Sequence, residues 1–415
     1  MIEIPASCKI ALQLLNQNHY QAYLVGGFVR DTLLNKPCAD YDICTNALPH
    51  QIQVCFKDYP VIETGIQHGT LTVLINHNPI EITTYRIDQD YLDSRHPNHV
   101  EFTNSLLEDL KRRDFTINTL CLDDKGELLD YLNGIDDLNH QIIRTVGNPL
   151  ERFEEDALRI LRAIRFSAQC SFTIEPETKK ALFLSKEKLK NVSIERIVSE
   201  LNKILLSDNA ASCFVEYHDI FTVFLSELHD LKQHPKAYQK MIEALNQTPA
   251  LLTYRLAALF STMSTIHLDA SNNLENEKIF KEIAKRMKYP NSIIKECGFL
   301  LRYQNLELHQ EDYAVKKYLN QWDQNLFLLL NYQQSLAPSY QKFEIIKEKA
   351  SSFIQNEACY SLKQLKINGN DCLDLNITGQ KISILLNDCL DQVMQGNLKN
   401  ERKELLGYIR NKTRL

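Results

Sequence analysis

The chain has 415 residues, of which 44% are hydrophobic, enough for several domains with packed cores. Its net charge of −6 argues against indiscriminate binding of polyanions but leaves room for a local basic groove. The 11 cysteines stand singly, without Cys-x-x-Cys pairs, which argues against a disulfide framework and predicts reduced thiols. Because the N-terminus lacks a signal-peptide pattern and no stretch approaches about 18 apolar residues, we expect a soluble, cytoplasmic protein without membrane contact.

A glycine pair, Gly26 and Gly27, is the first motif along the chain that suggests chemistry. Glycine lets backbone approach a triphosphate without interference from a Cβ atom. The run from Phe28 to Leu34 predicts a helix whose first N–H groups face that anion, with Arg30 in its first turn placed to bind a phosphate.

Two carboxylates one residue apart, Asp40 and Asp42, follow the glycines. Residues i and i+2 of a strand point to one face, so the two acids are predicted to converge while Tyr41 and Ile43 pack on the other side. Paired carboxylates suit Mg²⁺, which prefers oxygen ligands and keeps substrate phosphates in its shell. Either motif alone is more typical of a solvated surface turn, but the two in this order favour metal-dependent nucleotidyl transfer.

A third acid lies in the segment Ile80 to Arg86, whose alternation of apolar and polar residues predicts a strand. Glu81 would join the two aspartates if this strand neighbours theirs. The alternative is an ordinary glutamate on the solvent face of the strand.

Two arginines and an acid, Arg112, Arg113 and Asp114, stand at a predicted junction between a loop and a helix. The guanidinium fork matches two phosphate oxygens, so an arginine pair suits a triphosphate. Asp114 or Asn118 could hold a ribose hydroxyl, and a helix-capping role is the competing interpretation.

A long helix is predicted to start near Glu151, and it carries Asp156, Arg159, Arg162 and Arg165. Their spacing of three predicts a shared face, for which a salt-bridged solvent stripe is the default interpretation. The more specific interpretation is that Asp156 and Arg159 read a base together. Cytosine and adenine present an amino group beside an acceptor, whereas uracil and guanine present a carbonyl at that position.

The strand patterns occur in the first third of the chain, and 3.6-residue periodicity dominates after about residue 150. The sequence therefore predicts an α+β protein with a larger helical part. From Lys399 onwards basic residues outnumber acidic ones, which predicts either a contact with a phosphate backbone or a solvated helix face.

Together these residues resemble the class II CCA-adding enzymes, tRNA nucleotidyltransferases of the polymerase-β-like superfamily, which also contains bacterial poly(A) polymerases. The resemblance is dense over about residues 1–205 and weak over about 215–350. The motifs that carry it are Gly26-Gly27 with Asp40-x-Asp42, Gly65-x-x-His68-Gly69-Thr70, Glu81 to Arg86, Arg112-Arg113-Asp114, Glu155-Asp156-x-x-Arg159 and Glu195-Arg196-Ile197. Leu365 to Asp371 resembles the family's tail, whereas Thr378 to Ser383 departs from a commoner Gly-Pro-x-Ile-Gly pattern.

The resemblance implies a nucleotidyltransferase head with a small mixed sheet at 1–147, then a helical neck at 148–210, a body at 211–340 and a tail at 341–415. It implies Mg²⁺ as cofactor and CTP, ATP and the 3′ end of tRNA as substrates, with no protein partner evident. The implied catalytic residues are Asp40, Asp42 and Glu81, the first two being metal ligands. The implied nucleotide-binding residues are Gly27, Arg30 and Arg113 at the phosphates or sugar, Asp156 and Arg159 at the base, and Arg162 and Arg165 as further contacts.

Four alternatives are weighed at this point. A poly(A) polymerase is disfavoured because Thr64 to Leu71 lacks the basic Gly-Arg-Arg-Phe-type element and no long basic extension follows. A CC-adding enzyme is disfavoured because the loop from Arg86 to Pro97 is retained, so full CCA addition is preferred, while an A-adding enzyme stays open. The fourth is a non-catalytic tRNA-binding protein on the same scaffold. Two His-Asp doublets, His218-Asp219 and His229-Asp230, are better explained by body helices than by a phosphohydrolase site.

Overall fold

The structure, a computed structural model, describes residues 2–38, 40–91, 97–266, 272–337 and 341–413. The chain forms two compact units, Met1–Gln233 and His234–Leu415. The first unit contains all the strands of the described residues, and the second is helical in the part that the structure describes. This arrangement confirms the predicted α+β class with a mixed sheet at the N-terminal end.

The first unit is built on a seven-stranded sheet with the order β3-β4-β5-β2-β1-β8-β9. Strands β2 and β5 run parallel and the other pairs are antiparallel, so the sheet is mixed, as predicted. Two further pairs, β6 with β7 and β10 with β11, form separate two-stranded sheets. The strands are β1 Ala22–Val25, β2 Tyr41–Thr45, β3 Val61–Gly65, β4 Thr70–Ile75, β5 Asn78–Thr84, β6 Arg86–Tyr91, β7 Pro97–Phe102, β8 Cys121–Leu122, β9 Leu128–Leu129, β10 Ile142–Ile143 and β11 Thr173–Ile174.

Helices surround this sheet and continue beyond it to the end of the first unit. They are α1 Ala6–Gln17, α2 Gly27–Leu33, α3 Pro49–Cys55, α4 Leu106–Lys111, α5 Gly134–Asn139, α6 Pro149–Glu155, α7 Leu158–Cys170, α8 Pro176–Ser185, α9 Ile194–Leu205, α10 Ala210–Glu216, α11 His218–Phe221 and α12 Glu227–Lys232. Apolar side chains of the sheet and of α4 pack into a core that includes Val25, Cys44, Tyr85 and Leu110. This packing fixes the strands that carry the predicted carboxylates.

Four helices of the second unit begin at or directly after a proline or glycine, at Pro235, Pro290, Gly369 and Gly379. They are α13 Pro235–Gln247, α14 Leu252–Phe260, α15 Asn273–Arg286, α16 Asn291–Tyr303, α17 Asp312–Trp322, α18 Asn325–Leu336, α19 Lys342–Gln355, α20 Gly369–Leu373, α21 Gln380–Gln395 and α22 Arg402–Thr413. A core that includes Ile367, Cys389, Leu405 and Ile409 joins the last helices. Among the described residues of the chain, none of these helices is long and apolar enough to cross a membrane.

Two local predictions are wrong. The long helix predicted from Glu151 is interrupted, because α6 ends at Glu155 and α7 begins at Leu158, with extended backbone at Asp156 between them. The segment from Arg86 to Pro97, predicted as a loop, is largely a hairpin, since β6 pairs antiparallel with β7. Its residues 92–96 lie outside the described residues.

Candidate active site

The predicted carboxylates line a cavity of about 340 Å³ on one face of the seven-stranded sheet, across the inner strands β4, β5 and β2. Its lining includes Asp40, Asp42, Thr72 and Glu81. Asp42 of β2 lies opposite Glu81 of β5 in the parallel register, and Asp40 lies just before β2 on exposed backbone. The condition under which Glu81 would join the aspartates, that its strand neighbours theirs, is therefore met.

The electrostatics of this cavity favour a cation. Burial raises the pKa of Asp42 to about 6, against the lowering effect of Arg113, and the nearby Glu81 and Asp40 raise it further. Carboxylates that repel one another in this way match the oxygen donors that a hard divalent cation requires. Among the described residues, no three His, Cys, Asp or Glu side chains form by themselves a group able to hold a metal ion. The donors thus fit Mg²⁺ in chemistry, with the substrate phosphates left to complete the shell.

The glycine turn lies against the same carboxylate. Gly26 has a φ of 79° and a ψ of −134°, a conformation that side chains with a Cβ rarely adopt. A Cβ atom added there would lie 3.6 Å from Nη1 of Arg113 and 3.6 Å from Oδ2 of Asp42. Gly27 then opens α2, in agreement with the predicted helix, and a Cβ on Gly27 would lie 3.8 Å from Nη2 of Arg30. One guanidinium group therefore lies close to each glycine of the pair, Arg113 to Gly26 and Arg30 to Gly27.

Asp109 anchors the arginine pair, and the sequence interpretation missed this role. Its carboxylate is fully buried and contacts Arg112 at 2.8 Å and Arg113 at 3.3 Å. Burial alone would raise the pKa of Asp109, but the two guanidinium groups and the Arg86 backbone N–H lower it overall. The spacing of three and four residues from Asp109 to the arginines is the sequence signal that could have identified it.

A chain of hydrogen bonds joins α2 to α7 beside the cavity. Nη1 of Arg30 donates to Oδ1 of Asn118 at 2.7 Å, and Nδ2 of Asn118 donates to Oδ1 of Asp114 at 2.9 Å. Nε of Arg162 donates to Oδ2 of Asp114 at 2.7 Å. Burial would raise the pKa of Asp114, but Arg162 and the hydrogen bond from Asn118 lower it to about 2. Asp114 therefore serves as an ionised anchor for two side chains predicted at the nucleotide.

Asp156 and Arg159 do not share a helix face, which corrects the prediction from their spacing. Asp156 lies in the break between α6 and α7, where Oδ1 accepts from the backbone N–H of Leu158 at 3.0 Å. This bond satisfies an N–H group of the first turn of α7, and it is the physical reason for the interruption. Nη2 of Arg196 donates to Oδ2 of the same carboxylate at 2.7 Å.

Arg159 is held by groups from two other parts of the unit. Its Nη1 donates to the carbonyl oxygen of Arg152 at 3.1 Å, and its Nη2 donates to that of Arg112 at 3.0 Å. Glu155 adds an ion pair. Arg165, further along α7, lies 3.2 Å from Oε2 of Glu200 and is largely buried. The predicted base-reading and nucleotide-binding side chains are thus all present in this unit in fixed orientations.

Comparisons with known proteins identify the family to which the chain is similar. Residues 22–144 match the family described as "Poly A polymerase head domain", and residues 171–231 match "Probable RNA and SrmB- binding site of polymerase A". The CCA-adding enzyme of Enterococcus faecalis is 34% identical over 95% of this chain and 93% of its own length. That of Bacillus subtilis is 33% identical over 96% of each chain. The crystal structure of the Bacillus stearothermophilus CCA-adding enzyme in complex with CTP matches with a TM-score of 0.77, 25% identity and 98% coverage of both chains.

Proposed function

Since the chain belongs to the family of CCA-adding enzymes and is a tRNA nucleotidyltransferase, we propose that it adds C, C and A in turn to the 3′ end of tRNA. The nucleotides come from CTP and ATP, no template strand is used, and each addition releases pyrophosphate. The observation that carries the proposal is the cavity lined by Asp40, Asp42 and Glu81, with the Gly26 turn next to Asp42 and Arg113.

In the proposed reaction, the 3′-hydroxyl oxygen of tRNA forms a bond to the α-phosphorus of the bound nucleoside triphosphate. The bond from that phosphorus to the oxygen of the leaving pyrophosphate breaks, and the proton of the hydroxyl passes to solvent water. Asp40 and Asp42 would hold Mg²⁺ with Glu81 as third carboxylate, and a two-metal site there would supply activation of the hydroxyl and neutralisation of the pyrophosphate. Gly26 keeps the turn free of a Cβ atom, so that the phosphates approach the backbone of Gly27.

The arginines would bind the phosphates and sugar of the incoming nucleotide. Arg113, anchored by Asp109, lies close to Gly26, and Arg30, anchored by Asn118, lies close to Gly27. Guanidinium groups that are already oriented lose little entropy when they bind an anion. Arg162 and Arg165 on α7 are proposed as further nucleotide contacts.

Asp156 and Arg159 are proposed to select the base. A carboxylate accepts from the amino group of cytosine or adenine, while a guanidinium donates to the adjacent ring nitrogen or carbonyl. The contacts of Asp156 with Arg196 and of Arg159 with Arg112 and Arg152 support this role, because they hold both side chains in one geometry. A protein surface fixed in this way can select C and A without a template.

Incorporation of labelled CTP and ATP into tRNA that lacks its 3′ end tests the proposal. Full activity yields products longer by C, C and A on a sequencing gel, with pyrophosphate released in proportion. Extension only of tRNA ending in CC would identify an A-adding enzyme, and long adenylate tails would identify a poly(A) polymerase. No incorporation from either nucleotide would leave the non-catalytic tRNA-binding alternative.

Full CCA addition is preferred over CC addition because the segment between Glu81 and Arg113 is retained and includes the paired strands β6 and β7. We also propose the division into head 1–147, neck 148–210, body 211–340 and tail 341–415, with the helical tail binding tRNA. The cytoplasmic location stays a prediction, with which the eleven free cysteines are consistent.

A further inference from the structure

One buried aromatic ring lies among three of the arginines beside the active site. The guanidinium carbons of Arg30, Arg162 and Arg165 lie 4.8, 5.4 and 4.1 Å from the centroid of the Phe166 ring. Arg162 precedes Phe166 by one helical turn of α7, whereas Arg30 comes from α2, distant in sequence. Phe166 itself is only 5% exposed. The ring is therefore a point of contact shared by the two helices that carry these cations.

Three like charges gathered at one ring would repel one another without compensation. Each guanidinium also has a carboxylate partner: Asp31 for Arg30, Asp114 for Arg162 and, as an ion pair, Glu200 for Arg165. Arg30 and Arg162 in addition donate hydrogen bonds, to Asn118 and Asp114. The negative face of an aromatic ring attracts cations, and it does so more strongly where water is excluded. Burial lowers the pKa of Arg165 to about 10, so the group remains charged at neutral pH.

The ring is also held in place. Phe115 meets Phe166 edge to face, with the centroids 5.6 Å apart and an angle of 80° between the planes. Phe115 directly follows Asp114, the acceptor for Arg162, and its backbone N–H donates to the Asp114 carboxylate at 2.9 Å. The Phe166 ring, the Asp114 carboxylate and the Arg162 guanidinium are thus connected through Phe115. A shift of the ring would therefore move the arginines.

From this arrangement we propose that Phe166 is a positioning residue, which holds Arg30, Arg162 and Arg165 in the orientation that binds the triphosphate of the incoming nucleotide. The proposal rests on the proposed function, since it takes the arginines as nucleotide contacts. It assigns to an apolar side chain a role in substrate binding that neither its burial nor its helical position would indicate. An aliphatic side chain of similar size fills the space but lacks the face that attracts the cations.

The test compares Phe166→Leu with Phe166→Tyr and with a matched control, Phe172→Leu. Phe172 is also 5% exposed and lies shortly after α7, and within the described part of the chain no guanidinium lies over its ring. Calorimetric titration with CTP gives the Kd, and steady-state addition to tRNA gives KM and kcat. We expect Phe166→Leu to raise the Kd and the KM for CTP about tenfold with a smaller change in kcat, because contacts to several partly desolvated cations are lost.

Phe166→Tyr keeps the ring and should bind CTP as the parent does, and Phe172→Leu should also do so even if its unfolding temperature falls. Phe166→Met, which removes the ring and keeps most of the volume, replaces the leucine variant if that one does not fold. Equal CTP affinity in the parent and in Phe166→Leu, or an equal loss in both leucine variants, would overturn the positioning role. A parent that binds CTP but extends no tRNA would refute the proposed function alone, because the titration still decides on Phe166.

Discussion

Replacing Asp114 by asparagine should destabilise the first unit at neutral pH. The carboxylate is 8% exposed and accepts hydrogen bonds from Arg162, Asn118 and the backbone of Phe115. Burial opposes its ionisation, yet Arg162 and Asn118 lower its pKa from 3.8 to about 2, which corresponds to about 2.5 kcal/mol of stability. One third of the Arg162 side chain is exposed, so screening by water reduces our expectation to about 2 kcal/mol.

The same carboxylate gives a pH dependence with a definite sign. Because its pKa is lower in the folded protein than in the unfolded chain, its contribution is complete above about pH 4 and is lost as the pH falls from 3.8 towards 2. The parent should therefore lose more stability over this window than Asp114→Asn, which has no carboxyl group to protonate. At neutral pH the variant is less stable than the parent by about the free energy of unfolding that the parent loses in acid.

Hydrogen exchange of peptides from α7, Leu158–Cys170, measures this difference locally. The control is Asp136→Asn, which makes the same chemical change at a carboxylate whose side chain is 73% exposed, and it should shift the opening free energy by less than about 0.5 kcal/mol. If Asp114→Asn protected α7 as well as the parent does at pH 7, the anchoring role of Asp114 would be refuted. Parallel acid profiles for parent and variant would likewise contradict the lowered pKa.

Three further outcomes are expected. Asp40→Ala or Asp42→Ala should abolish nucleotide addition in Mg²⁺ with little change in unfolding temperature, since removing one of several repelling carboxylates costs the fold little; near-parental turnover would refute the metal-ligand role. Arg159→Ala should reduce the preference for CTP and ATP over UTP by about one to two decades while CTP still binds, and unchanged selectivity would exclude base reading. Shortening Asp90 to Arg95 should leave tRNA ending in CC, as product lengths on a gel would show, because the segment is proposed to reposition the base-reading pair for adenine; unimpaired A addition would contradict that.

The sequence predicted well the strands that carry the candidate carboxylates and the helix after the glycine pair. Alternation in Ile80 to Arg86 and the Asp-x-Asp spacing identified β5 and β2, and these strands are neighbours, which is the condition under which Glu81 would join the two aspartates. The helix after the glycine pair was placed within one residue of α2. These features are local, since a strand face or a glycine with positive φ is determined by residues next to one another in the chain.

The sequence could not predict the break between α6 and α7, because this break depends on side chains that compete for backbone groups. The apolar periodicity around Asp156 is that of a continuous helix, yet Asp156 bonds the N–H of Leu158 and ends α6 at Glu155. A propensity scale weighs each residue separately, whereas this break depends on one carboxylate that caps the next helix and also meets Arg196 from α9. Such a contact between distant segments has no signature in spacing.

The partners of Asp156 and Arg159 bear on how a protein can select a base. Each Asp156 oxygen already accepts one hydrogen bond, from Leu158 or Arg196, and a carboxylate oxygen can accept a second one. In the proposed role, the incoming base would not need to displace the partners of the carboxylate, and it would meet an acceptor whose direction is set by α7 and α9. A flexible acid and arginine could rotate to suit uracil, whereas a pair held from several segments would leave a wrong base with unpaired polar groups. Selection between bases would then depend on the residues that hold the pair as much as on the pair itself, and these residues lie on α6, α7 and α9 and directly after α4.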